Sequence, residues 1–115
     1  MATSTSDFGK CPFATAQKIL QGKYAIVILH NLSEHPCRFN ELQKRLGIAQ
    51  ATLSTQLKFL EKEGMISRTV YPEVPLRVEY ALTDIGNGFQ SVLNEIEVWG
   101  NSYIDYLKQQ NHLHQ

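Results

Sequence analysis

Two cysteines, Cys11 and Cys37, are too few to build a disulfide scaffold, and in a reducing compartment they are thiols by default. No apolar run approaches the roughly 20 residues that a bilayer requires. The opening Met1-Ala2-Thr3-Ser4-Thr5-Ser6-Asp7 lacks the basic-then-apolar profile of a signal peptide, so a cytoplasmic protein with no membrane partner is expected. Enzyme signatures are equally scarce. There is no Gly-rich phosphate loop, no His-Glu-x-x-His and no nucleophile elbow, and neither thiol has a His and carboxylate placed by motif. No enzymatic activity and no cofactor are expected. Zinc is not expected either, because Cys11, His30, His35 and Cys37 lack the paired spacing of a structural zinc site. No internal repeat or low-complexity segment is present. Charge of one sign is missing as well, with 11 basic and 11 acidic residues, and this weighs against nucleic acid, whose phosphates need Lys and Arg.

Counted by segment, the balance is uneven. Residues 1–37 carry three basic and two acidic groups, residues 38–82 seven and five, and residues 83–115 one and four. The positive surplus falls in the middle third. With 115 residues and 43% hydrophobic content, the chain is long enough for one modest core and small enough to gain from a partner surface.

The middle third also carries the clearest pattern. Phe39, Leu42 and Leu46 have helical spacing and end at Gly47, so 38–46 reads as a first helix. Gln50 to Glu63 reads as a second, closed by Gly64 as a left-handed C-terminal residue. At 100° per residue, Leu57 and Leu60 fall within about 40° of Leu53, and Ala51, Thr55, Lys58 and Lys62 fall opposite. One face is for a core and the other is free. Ile66–Tyr71 and Arg77–Leu82 then turn β-branched and aromatic, the second alternating cleanly, around a Pro72-Glu73-Val74-Pro75-Leu76 tip stiffened by its prolines. Helix, Gly turn, amphipathic helix and ribbon follow in the order of a winged helix-turn-helix.

The flanks are helical too. A polar, aperiodic tail over residues 1–10 precedes Pro12, which suits a helix first turn, and Phe13–Leu20 stops at Gly22. Lys23–Leu32 is apolar nearly all round, as in a helix buried in a small core. After Thr83-Asp84-Ile85-Gly86, one long helix over 83–110 carries Phe89, Val92, Leu93, Ile96, Trp99, Tyr103, Tyr106 and Leu107 at three- and four-residue steps. So much apolar surface exceeds what this core covers, and dimerisation through Phe89, Val92, Ile96, Trp99 and Tyr103 is the economical expectation. Residues 111–115, with His112 and His114, read as a polar tail that could scavenge metal incidentally.

A major groove about 12 Å wide admits one helix, whose N-terminal residues meet the base edges. Here these are Gln50, Ala51, Thr52, Ser54 and Thr55, with Lys58 a turn further on. Gln can pair with adenine, hydroxyls with bases or phosphates, and the methyls of Ala51 and Thr52 with a thymine methyl. Short polar residues also make an ordinary solvated face, so the helix alone does not decide. A stiff ribbon carrying Arg68 and Arg77 serves poorly as a core element and well as a wing on backbone or minor groove, which favours double-stranded DNA.

Cys11-Pro12, Gly22-Lys23-Tyr24, Arg38-Phe39-Asn40-Glu41-Leu42, Thr52-Leu53 with Gln56-Leu57, Leu60-Glu61 with Gly64, Val70-Tyr71-Pro72-Glu73-Val74-Pro75 and Arg77-Val78-Glu79-Tyr80 with Leu82-Thr83 and Gly86 together resemble the HxlR family of bacterial transcriptional regulators. The resemblance runs from about Cys11 to Gly100. It implies a dimeric, MarR-like winged helix that binds operator DNA, with N- and C-terminal helices forming the dimer. Many relatives have Trp where this chain has Tyr24, and a basic residue where it has Ala51, so base preference does not transfer at that position. Some members sense oxidants or electrophiles through a cysteine at the place of Cys11. Here Lys10 and the following helix N-terminus both favour a thiolate, while a small packing residue is the plainer role.

The expected fold is therefore mainly α with a β-hairpin wing. Residues 11–110 form one domain, with the helix-turn-helix at 38–64, the wing at 65–82 and the dimerisation helix at 83–110. The expected function is a homodimeric repressor on a palindromic operator, with thiol sensing at Cys11. A winged helix used for protein contacts, and a regulator holding a small aromatic ligand near Trp99 and Tyr103, are the alternatives.

Overall fold

Burial follows the apolar periodicity of the middle helices. In the computed structural model, which describes residues 7–113, the chain forms α1 (Pro12–Ile19), α2 (Ala25–Glu34), α3 (Phe39–Leu46), α4 (Gln50–Lys62), β1 (Ile66–Tyr71), β2 (Arg77–Leu82), α5 (Asp84–Asn87) and α6 (Gln90–Leu113). The core is built from Ile28, Leu29 and Leu32 of α2, Leu42 of α3, Leu53, Leu57 and Leu60 of α4, Ile66 and Tyr80 of the ribbon, and Leu93 of α6, joined by Cys37 and Met65. Mostly helical, with one two-stranded hairpin, this is the winged helix-turn-helix architecture. The expectation of an all-round buried α2 is corrected: Val27 and His30 are exposed, because α2 is covered on one side only.

Two glycines turn the chain where left-handed backbone is required. Gly47 (φ 64°) ends α3, and Gly64 (φ 78°) ends α4 with the Met65 N–H donating back to Leu60 O at 2.9 Å, a Schellman closure that sends the chain into β1. The strands pair antiparallel from Ile66 opposite Leu82 to Tyr71 opposite Arg77. Cys37 adds a third, one-residue rung. Its N–H donates to Tyr80 O at 2.9 Å and its carbonyl accepts from Tyr80 N–H at 2.8 Å, tying the segment before α3 to the ribbon.

Thr83 latches the other side of the ribbon. Its N–H donates to Met65 O at 3.1 Å, its hydroxyl donates to Gly64 O, and the same oxygen accepts from Gly86 N–H at 3.2 Å as the N-cap of α5. Gly86 lies so close that a Cβ there would collide with the Met65 carbonyl. This latch overturns the single helix expected over 83–110. Residues 84–87 are held against the wing, Gly86 and Gly88 are weak helix formers, and a new helix starts at Gln90. That helix continues through Leu113, so the tail expected at 111–115 is helical as far as 113, and His114 lies outside the described residues. At the other end, Asp7–Lys10 is not loose. Asp7 O accepts from the N–H groups of Lys10 and Cys11, both at 3.0 Å. The rest of the expected N-terminal tail, residues 1–6, lies outside the described residues.

The molecule is elongated, 57 × 38 × 26 Å with a radius of gyration of 16.8 Å, where a compact domain of this length would have about 13 Å. A 24-residue helix is about 36 Å long, and much of α6 extends past the core. Among the described residues no helix is long and apolar enough to cross a membrane.

Leu57→Ala should lower unfolding free energy by about 2–5 kcal/mol through the cavity it leaves. Gly86→Ala should cost about 1–3 kcal/mol by forcing the latch open. Urea unfolding measures both, and a Gly86→Ala midpoint equal to the parent's would remove the latch from this account.

Candidate nucleic-acid interface

The leucine stripe sets the rotation of α4. With Leu53, Leu57 and Leu60 inside, Gln50, Ala51, Thr52, Thr55 and Lys58 are all exposed, and Ser54 is half-buried at the margin. Ile48, half-buried in the Gly47-Ile48-Ala49 turn, seats the start of α4, and Gln43 Nε2 donates to its carbonyl at 3.3 Å. No side chain caps α4, and its first turn holds no acidic residue. The first amide N–H groups and the positive end of the helix dipole are thus presented on the Gln50–Thr52 face, as an anion-facing helix requires.

Gln56, between these faces, turns the other way. Its side chain packs on Gly22, where a Cβ would overlap the amide, and Oε1 is buried with no hydrogen-bond partner among the described residues. This contact between α4 and the α1–α2 turn was not foreseen from sequence. The only signal was a lone glycine.

The ribbon's two arginines differ. Arg68 is exposed, lies opposite Tyr80 in register, and has no acidic partner within 4 Å among the described residues. Arg77 is 27% exposed, donates from Nε to Glu73 and from Nη1 to Glu79 Oε2 at 2.7 Å, and lies with Cζ 3.7 Å over the Tyr71 ring. Its hydrogen bonds to Glu73 first, and then to Glu79, push its pKa up. Arg77, expected on the wing as a DNA contact, is thus ion-paired in the DNA-free chain, unlike Arg68. Two carboxylates against one guanidinium leave that end of the wing net negative, and Arg77 fastens the stem of the tip to β2. The Glu73, Arg77 and Glu79 spacing was visible in the sequence, but its pairing depended on the register.

The aromatic stripe divides as well. Phe89 packs against the chain's own core, one helical turn before buried Leu93. Val92, Trp99 and Tyr103 are exposed and Ile96 is half-buried. Trp99, 67% exposed, stacks on Tyr103 with ring centroids 5.3 Å apart, and Tyr103 meets Tyr106 at 5.5 Å. On α1, Phe13 is also exposed. The groove between α2 and α6 is lined by residues that include Ile26, Val27, His30, Leu93 and Ile96, not by Trp99 and Tyr103.

Both cysteines are free thiols in unlike settings. Cys11 occupies the N-cap position of α1, half-buried and making no side-chain cap bond. Cys37 is buried. Desolvation first, then the Glu41 carboxylate, push its thiol above the usual range, with Arg45 pulling the other way.

Comparison with known proteins agrees with this geometry. Residues 19–108 match the family profile described as HxlR-like helix-turn-helix. The chain is 40% identical over 103 residues to the HTH-type transcriptional regulator YdeP of Bacillus subtilis, covering 89% of this chain and 80% of that one. Among solved structures, the redox regulator HypR in its reduced form superposes with a TM-score of 0.79 at 31% identity, covering 85% and 98% of the two chains. The reduced form of the transcriptional regulator YodB from B. subtilis gives 0.72 at 34% identity, covering 81% and 93%.

Iodoacetamide at mildly alkaline pH should label Cys11 well before Cys37, which is shielded and predominantly protonated. Peptide mapping reads the order. Equal rates would contradict the burial of Cys37.

Proposed function

The chain belongs to the HxlR-like helix-turn-helix family of transcriptional regulators, and on that footing we propose that it acts in the cytoplasm as a homodimeric repressor on a palindromic operator. The observation that carries the reading is the first turn of α4, uncapped, free of acid and exposed, with its leucines fixing the opposite face. Two such turns enter successive major grooves about 34 Å apart. Gln50 pairs with a base edge, Ala51 and Thr52 meet methyl groups, Ser54 and Thr55 take bases or phosphates, and Lys58 takes backbone. Arg68 supplies the wing's phosphate or minor-groove contact, and Arg77 keeps the wing in shape. The stripe of exposed Val92, Trp99 and Tyr103 and half-buried Ile96, with Phe13 on α1, supplies the dimer contact, for which the elongated shape leaves ample apolar surface.

Cys11 is the sensing thiol in this reading. It is half-buried at the start of α1, beside the dimer elements, and redox regulators are among the structures that the chain resembles. Oxidation or electrophile addition there alters how α1 packs and so the spacing of the two heads. Repression needs no chemistry beyond binding, so the protein is read as a non-enzyme. If the Cys11→Ser variant represses and responds to thiol oxidants as the parent does, Cys11 is not the sensor.

Binding to the region upstream of its own gene, followed against salt, tests the central claim. The log-log slope should be several units, and a flat response would count against DNA as the ligand. Arg68→Ala should weaken binding to all sequences and lower the slope by about 1, whereas Arg77→Ala should change it less, its charge being already matched. Gln50→Ala should cost roughly 1–3 kcal/mol at one base pair, and equal losses on specific and random DNA would refute its role.

A further inference from the structure

His35, Cys37 and Glu41 meet where the α2–α3 turn passes under the wing. Each can offer one ligand atom, and these atoms all lie within 4.8 Å of one another. Cys37 Sγ is 3.8 Å from His35 Nδ1, and His35 Nε2 is 3.8 Å from Glu41 Oε2. A spacing search for paired Cys and His could not find this set. Its members stand in a His-x-Cys-x3-Glu string, brought together because Cys37 is fixed to Tyr80 and Glu41 lies in the first turn of α3.

The space beside them already holds a cation. Arg45 Nη2 lies 3.2 Å from Glu41 Oε2 and 3.2 Å from His35 Nε2. A guanidinium can only donate, so the neutral ring accepts at Nε2 and carries its proton on Nδ1. That proton is given to Pro36 O at 2.8 Å. The Nε2 lone pair is released when Arg45 moves away, and an opposite N–H held by a backbone carbonyl is the arrangement in which histidine binds metals. Arg45 also has Glu34 Oε1 at 3.9 Å and Asn31 Oδ1 at 3.4 Å, so it can leave the ring without losing every partner.

We propose that His35, Cys37 and Glu41 form a zinc-class divalent cation site, occupied in exchange for the Arg45 guanidinium. Thiolate, imidazole and carboxylate together suit Zn²⁺ and its analogue Co²⁺ rather than Mg²⁺ or Ca²⁺. Three protein ligands leave a fourth position for water. On binding, the Cys37 thiol proton passes to solvent, one sulfur–metal bond forms, and no redox change is involved. The bound ion clamps Glu41, at the head of the first motif helix, to the residue whose backbone pairs with the wing.

The test is a Co²⁺ titration of the reduced full-length protein, followed by thiolate-to-metal charge-transfer absorption and by Zn²⁺ displacement. The parent and Cys11→Ser should both bind one equivalent with the thiolate band. His35→Gln should weaken binding by about 100-fold or more, since even outer-sphere partners are worth about 10- to 100-fold. Arg45→Ala should tighten it roughly fivefold or more by removing a competing positive charge. Both substituted side chains are largely exposed, so the core survives these changes. No binding, Co²⁺ bound without a thiolate band, as at His112 and His114, a band that follows Cys11, or one indifferent to His35→Gln would each overturn the site. Unchanged affinity in Arg45→Ala would overturn the exchange.

Discussion

Everything outward-facing in this protein depends on three inward-facing side chains. Leu53, Leu57 and Leu60 have essentially no exposed surface, and a helix is rigid at about 100° per residue, so their burial leaves the opposite face no freedom of rotation. Gln50, Thr52 and Thr55 are presented because the leucines are hidden. The wing is fixed to the same frame twice, by the Cys37–Tyr80 backbone rung and by the Thr83 latch on Gly64 and Met65. Without those ties a two-stranded ribbon would be marginal on its own.

Local chemistry was legible in the sequence and contacts between distant segments were not. Both strands end where β-branched alternation gives way to the prolines of the tip and to Thr83, and Gly47 and Gly64 mark their helix ends because only glycine takes positive φ cheaply. The break before α6 escaped notice because the periodicity of Phe89, Leu93 and Ile96 runs across it unbroken. The break falls at Gly88-Phe89, after a short helix whose start Thr83 holds against the wing by hydrogen bonds to residues 18 and 19 positions earlier. The pairing of Arg77 is hidden in the sequence for the same reason: its partners depend on the strand register and on the fold of the tip. The His35, Cys37 and Glu41 set needed the rung to Tyr80 before its members could be seen as neighbours.

A chain with no net charge that grips DNA must place its charge economically. The wing carries two acids around Arg77, Glu73 in the tip and Glu79 on β2, so it is not a uniformly basic arm. What remains favourable to phosphate is local: Arg68, Lys58, and an α4 start with no acid in its first turn. Partial charges on backbone amides act only within about one helical turn, and this demands close fit rather than long-range attraction. On the proposed reading the protein recognises its site mainly by contact, and the acidic C-terminal third keeps nonspecific adhesion low.

The two proposed control points, Cys11 and the cation site, lie in different parts of the chain. On the proposed reading Cys11, the N-cap residue of α1, lies outside the reading head, where a change alters how two heads are spaced but leaves each head intact. The proposed cation site lies inside the head, between the first motif helix and the wing, so that on this reading an ion tightens one head and leaves the proposed dimer stripe alone. A head that is stiffer before it meets DNA loses less conformational entropy on binding, so affinity rises without a new contact to the operator. Spacing and stiffness are independent variables, one acting on the pair and the other on the protomer.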